Sequence, residues 1–103
     1  MSYQEKVRNL PHYQEALKIL FEHESAKELL GTPIKVAHID LGDRRNNYVG
    51  KLESKLLVPI SGAINSGLLN IYADRPSIED QFKAKKIRLE LEEESILVYE
   101  RDS

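Results

Sequence analysis

The residue types that most often carry chemistry are few and scattered in this sequence. Its three histidines, His12, His23 and His38, stand eleven and fifteen residues apart, and no Asp or Glu joins them at ligand spacing on one element. No metal site is expected from them. They read instead as surface groups, His12 and His23 on the exposed side of a helix and His38 on a strand surface. Ser61, next to Gly62, is the best-placed hydroxyl for a nucleophile, yet it lacks the Gly-x-Ser-x-Gly elbow between strand and helix. Gly62-Ala63-Ile64-Asn65-Ser66-Gly67 has the glycine spacing of a phosphate-binding loop. It runs on into Leu68 and Leu69, where such a loop needs Lys and then Ser or Thr at the start of a helix, so the segment reads as a hairpin loop. Glu90, Glu92, Glu93 and Glu94 lack the spacing of a calcium loop and read as a solvated turn. With no cysteine there is no disulfide framework, thiolate zinc site or thiol nucleophile. No catalytic, cofactor-binding or metal-binding residue is expected.

Charge distribution is the remaining signal. Lys plus Arg number 15 and Asp plus Glu 17, a net charge of -2, and that balance argues against a protein that coats nucleic acid. Locally the charge is segregated. Lys83, Lys85, Lys86 and Arg88 form a basic run, Arg44 and Arg45 sit at a turn tip, and the acidic turn at Glu92 to Glu94 follows. Cations so placed either protect strand edges from aggregation or steer an acidic protein partner. On the second reading, Arg44, Arg45, Lys83, Lys85, Lys86 and Arg88 are the candidate partner-binding residues.

The elements that must position these groups are legible from periodicity. Leu10, Tyr13, Ala16, Leu17, Leu20 and Phe21 fall on one helical stripe, and Pro11 suits the first turn because its missing N–H would be unpaired there. Ser25 and Glu28 have capping-box spacing, which predicts one kinked helix or two short ones over 10–30, broken near His23. Gly31 is expected to close the helix in the left-handed conformation, and Pro33 prevents its continuation. The period then becomes two. Strands are expected at Ile34 to Ile39, at Tyr48 to Ile60 as one long run, at Leu68 to Ala73, at Lys86 to Leu91 and at Ile96 to Tyr99. In the long run Ser54, Leu56, Val58 and Ile60 share a face, and Gly50 and Pro59 mark bulges or edges. Gly42 to Asn47 is a polar turn, Ser61 to Gly67 a small-residue loop, and Ser77 the start of one short helical turn.

Short connections permit antiparallel neighbours only. The expected fold class is α+β, an N-terminal helix laid by Ala16, Leu17, Leu20 and Phe21 across a four- to five-stranded antiparallel meander sheet. A length of 103 residues fits a single domain over 1–103, helical at 10–30 and sheet at 33–100. A composition of 41% hydrophobic and 31% charged residues is that of a folded domain, and no run approaches the ~18 apolar residues of a spanning helix. Residues 1–20 lack the apolar stretch of a secretory signal and carry Glu5 and Glu15, which a transit segment avoids.

Leu30-Gly31-Thr32-Pro33-Ile34, the Asp43-Arg44 turn, Leu57-Val58-Pro59-Ile60-Ser61-Gly62 and Gly67-Leu68-Leu69 together resemble the cytochrome c oxidase assembly factor one family. The resemblance runs from about Tyr13 to Val98 and includes His23 and Ala26-Lys27-Glu28-Leu29-Leu30 before the glycine. It implies a small protein of the mitochondrial inner membrane, with this domain facing the intermembrane space and no catalytic centre. The implied role is a docking module that assists assembly of respiratory-chain complexes, chiefly cytochrome c oxidase and in animals also complex I. The expected partners are assembly intermediates or, through a related regulatory subunit, the presequence translocase. No cofactor and no nucleic acid is implied, the domain is expected to be monomeric, and membrane contact is expected only through an anchor these residues do not supply. The matching motifs read as structural, so no binding residue transfers with the resemblance. The competing reading is a small-ligand-binding domain with its pocket between helix and sheet, which requires convergent polar groups beyond Ser54 and His38.

Overall fold

A computed structural model describes residues 2–102. Three helices, α1 (Tyr3–Arg8), α2 (Pro11–Glu22) and α3 (Glu24–Leu30), precede six strands: β1 (Lys35–Val36), β2 (Tyr48–Val49), β3 (Glu53–Ser61), β4 (Ser66–Asp74), β5 (Lys83–Leu91) and β6 (Ser95–Glu100). Strands β3 to β6 make an antiparallel meander in chain order, and β1 and β2 both lie along the outer edge of β3. The α+β class and the meander agree with the sequence reading, with one strand more than the upper expectation.

The helical layer starts earlier than the spacing predicts. Ser2 Oγ accepts the Glu5 N–H at 3.2 Å and so caps α1. Gln4 exchanges two hydrogen bonds with Ile39, donating to its carbonyl at 2.6 Å and accepting its N–H at 3.1 Å. Pro11 is the first residue of α2 as expected. The break falls at His23, but the cap is His23 itself and not Ser25: its Nδ1 accepts the Ala26 N–H at 3.1 Å. Ala16 and Leu20 are buried under the sheet and Leu17 half-buried, whereas Phe21 stays 42% exposed. Tyr13 is buried as the stripe predicts and His12 is buried in place of Phe21, so the buried face of α2 is rotated toward His12.

Two strand expectations are corrected. The segment from Ile34 to Ile39 contributes only the two residues of β1, and the run from Tyr48 to Ile60 is folded back on itself as β2, a turn at 50–52 and β3. Gly50 sits in that turn, its N–H donating to Glu53 O at 2.8 Å. The register irregularities lie in β4 to β6, at Tyr72/Ala73 and Ile87/Arg88, and not at Gly50 or Pro59. At the first, the Ala84 N–H donates to Glu15 Oε1 at 2.8 Å, so a carboxylate of α2 satisfies the backbone where the ladder is disturbed. Ser77 starts a turn and no helix.

Leu56, Val58, Ile60, Leu69, Ile71, Ala84, Ile87 and Leu89 form the core beneath α2 and α3. The outer edge of β3 is occupied along its length. β1 covers Ile60 and Ser61, β2 covers Ser54 and Lys55, Asn47 Oδ1 accepts the Leu57 N–H at 2.7 Å, and Pro59 carries no N–H while its carbonyl accepts from Ala37 at 2.9 Å.

The C-terminus of α3 meets the β3–β4 hairpin tip. The N–H groups of Ile64 and Asn65 both donate to Leu30 O, at 2.8 and 3.1 Å, Ala63 N–H donates to Gly31 O at 3.2 Å, and Asn65 Nδ2 donates to Leu29 O at 3.0 Å. Gly31 closes α3 with φ 78 and ψ 145. The positive φ is as expected, but the extended ψ turns the chain outward instead of completing a left-handed turn. A Cβ at Gly31 would lie 2.7 Å from Ile64 Cγ1 and 2.9 Å from Ile64 N, and one at Gly62 would collide with the Leu30 and Gly31 carbonyls. Gly31→Ala therefore combines a disfavoured φ with a steric clash, and is expected to lower unfolding stability by about 2 kcal/mol or more in a urea titration. Exposed Gly42→Ala serves as the control and is expected to change stability by less than about 1 kcal/mol.

Candidate functional site

The residues weighed for catalysis and metal binding do not converge. His38 is exposed in the loop after β1, His23 caps α3, and Ser61 ends β3, paired with Ser66. His12 is buried, contrary to the surface position expected from the sequence. Its Nε2 lies 2.9 Å from Ser54 Oγ, and Ser54 Oγ donates to Tyr48 O at 3.0 Å. The serine proton is thus committed to a carbonyl, Nε2 carries the imidazole proton and donates it, and Nδ1 is left buried without a partner. The ring packs 5.0 Å from Phe82. A serine activated for attack would present its proton to the imidazole, whereas here the bond runs the other way. The arrangement joins α2, β3 and β2. No group of three potential metal ligands occurs among the described residues.

Burial lowers the His12 pKa from 6.5 to about 4. The unfolded chain binds the proton below about 6.5 and the folded chain only near 4. The contribution of neutral His12 is therefore complete above pH 6.5 and is lost as pH falls from there toward 4, on the order of 3 kcal/mol in total. Urea titrations across this range are expected to show that loss, and His12→Leu is expected to flatten it.

A different surface stands out. The helices cover only one face of the sheet. On the other, strand register aligns Lys55, Tyr72, Lys86 and Glu100 in one row, Leu57, Asn70, Arg88 and Leu97 in the next, and Pro59, Leu68, Glu90 and Ser95 in a third. Leu57 is half-buried, and Leu68 and Leu97 are 36% and 44% exposed. Tyr72, Lys85, Lys86 and Arg88 line a cleft of about 280 Å³, with no carboxylate among them. Lys86 reaches Glu100 at 3.9 Å, Arg88 donates to Ser95 Oγ at 3.2 Å, and Lys55 Nζ stands 5.5 Å from the Tyr72 ring centre. Each tether is weak, because the groups are solvent-facing and long.

At the centre of this face Asn70 is 4% exposed and its Nδ2 has no hydrogen-bond partner. Leaving such a group unsatisfied costs about 1 to 3 kcal/mol.

The structure divides the six candidate partner-binding residues. Lys85, Lys86 and Arg88 come together in the cleft. Lys83 pairs in register with Asp74 and lines a separate hollow with Asp80 and Arg101, while Arg101 and Asp74 form an ion pair at 2.5 Å. Arg44 lines a groove of about 590 Å³ between α1 and β2, with Lys6, Val7 and Tyr48, and Arg45 is exposed in the loop before β2. Sequence reasoning missed Asn70 and Tyr72. An Asn within the apolar run Leu68 to Ala73 was the available signal, since asparagine is disfavoured in strands. The polar groups proposed for a pocket under the helices do not meet either, because Ser54 is occupied by His12 and Tyr48 and His38 lies outside.

The site is thus a sheet face on a two-layer α+β domain, carrying Lys55, Lys85, Lys86 and Arg88 beside Leu57, Leu68 and Leu97. The comparisons give the family. The family model of cytochrome oxidase complex assembly protein 1 matches residues 1–100, and the chain belongs to that family. It is 32% identical over 82 residues to the Homo sapiens protein named cytochrome c oxidase assembly factor 1 homolog, an alignment covering 80% of this chain and 56% of the relative. The chain therefore spans a little over half the length of that relative. No solved structure matches it.

Proposed function

We propose that this chain is a non-enzymatic docking module that assists assembly of mitochondrial respiratory-chain complexes, chiefly cytochrome c oxidase, from the intermembrane-space side of the inner membrane. Membership of the cytochrome oxidase assembly family carries the reading. The physical support is that Lys85, Lys86 and Arg88 gather on the sheet face left free by the helices, where steering and docking of a protein partner need no rearrangement of the core. The partners are then assembly intermediates of the oxidase, with complex I intermediates as a second client. Among the described residues no helix is long and apolar enough to cross a membrane, and the reading assigns attachment to a segment outside them.

Affinity purification from a mitochondrial extract, comparing wild type with Lys86→Glu/Arg88→Glu, tests the reading. Both side chains project from the face opposite Ile87 and Leu89, so the double variant is expected to unfold within about 1 kcal/mol of wild type. Recovery of oxidase assembly subunits is expected to fall at least tenfold, and capture by wild type to weaken as salt shortens the screening length below about 8 Å. Equal recovery by both proteins overturns the assignment of this face.

A further inference from the structure

We infer that the open sheet face receives an acidic segment of a protein partner, whose carboxylate enters the Tyr72, Lys85, Lys86 and Arg88 cleft and whose oxygens supply the acceptor Asn70 lacks. The inference rests on the docking function proposed above and names its partner by chemistry.

Two independent observations meet here. The cleft is lined by two ammonium groups, a guanidinium and a tyrosine, with no carboxylate among them, and Lys85 makes no ion pair among the described residues. Beside it stands a buried amide with an unused donor. Asn70 pairs across the ladder with Arg88 and precedes Tyr72 by two residues on the same face, so amide and cleft are neighbours. Lys85 has no counter-charge among the described residues and Asn70 Nδ2 no acceptor, while Lys86 and Arg88 hold only their solvent-facing contacts to Glu100 and Ser95. A sheet position facing solvent has no stability reason for a 4% exposed asparagine, because leucine would fill the space between Leu57 and Arg88 without an unsatisfied group.

The surroundings select the kind of anion. Leu57 lies across the ladder from the amide, Leu68 two residues before it on the same face, and Leu97 beyond Arg88, an apolar surface that a free inorganic anion leaves uncovered. A cleft of about 280 Å³ is sized for one or two side chains and not for a bilayer surface. A peptide that alternates acidic and apolar residues presents carboxylates, backbone carbonyls and hydrophobic groups together. Arg88 is the residue able to move aside for it, being held at its tip by a single exposed bond to Ser95. In addition to Coulomb attraction, the segment gains a charge-assisted bond to the guanidinium.

The test uses the full chain, labelled with ¹⁵N and titrated with a short alternating Leu/Glu peptide, the matching Leu/Gln peptide, and phosphatidylglycerol vesicles. Amide shifts are expected on Asn70, Tyr72, Lys86 and Arg88 with the Leu/Glu peptide, with the Leu/Gln peptide roughly tenfold weaker and Lys85→Glu/Lys86→Glu abolishing them. Asn70→Leu is expected to raise the melting temperature while weakening the peptide roughly fivefold or more, opposite signs that a purely structural residue would not give. The inference is overturned by shifts confined to other surfaces, by Asn70→Leu binding like wild type, by vesicles producing the shifts when the peptide does not, or by self-association that seats Glu92 to Glu94 of a second copy on this face. If the peptide fails while Lys86→Glu/Arg88→Glu still loses its mitochondrial partners, the acidic segment falls and the docking function stands. The converse result keeps the acidic-segment site and removes its assembly role.

Discussion

The fold depends on a seam of backbone hydrogen bonds between the end of α3 and the tip of the β3–β4 hairpin. A helix leaves its last carbonyls without partners, and burying them unpaired is costly. Here the N–H groups of Ala63, Ile64 and Asn65 and the Asn65 side chain take the carbonyls of Leu29, Leu30 and Gly31. The two backbones approach closely enough that neither Gly31 nor Gly62 has room for a Cβ. One seam therefore satisfies both a helix end and a loop, and fixes how the helical layer sits on the sheet. It also joins Leu30-Gly31-Thr32-Pro33 to Ile60-Ser61-Gly62, two of the segments that carry the family resemblance, so that part of the signature records a fold constraint.

Buried polar groups fall into two kinds. Asn47 bonds both the Asp40 carbonyl and the Leu57 N–H, and Ser54 links His12 to Tyr48, so these side chains join elements of the helical layer and the β3 edge to one another. Asn70 lies on the opposite side of the sheet and makes no such link. The first kind is explained by the need to satisfy irregular backbone around two short strands. The second has no counterpart within the fold, and its surroundings are cationic.

Periodicity made the meander, the α2 stripe, the break at His23 and the stop at Gly31 legible, because each follows from a local rule. The failures share a cause in tertiary context. Tyr48 to Ile60 keeps an unbroken alternation, so only the Gly50 N–H bonding back to Glu53 reveals that the run folds into two strands. His12 looks like a surface residue until Ser54, forty-two positions away, supplies a partner. α1 was visible in principle, since Ser2 and Glu5 have capping spacing, but a helix of six residues carries too little apolar pattern to announce itself. For the site, the basic run on β5 was read correctly as a run, yet no local rule tells that Arg44 and Lys83 belong to other surfaces. That separation depends on which strands are neighbours.

The sealed outer edge of β3 gives the sheet a polarity. With Asn47, Pro59, β1 and β2 occupying that side, the sheet ends there in two strands of two residues each, and on the other side, among the described residues, in the six-residue β6. Edge-to-edge stacking of copies into a fibre requires two receptive edges per molecule, one to accept and one to offer. This sheet has one longer than two residues. Strand pairing between copies through β6 therefore meets only a two-residue ladder at the far side of the sheet, which disfavours growth into a fibre.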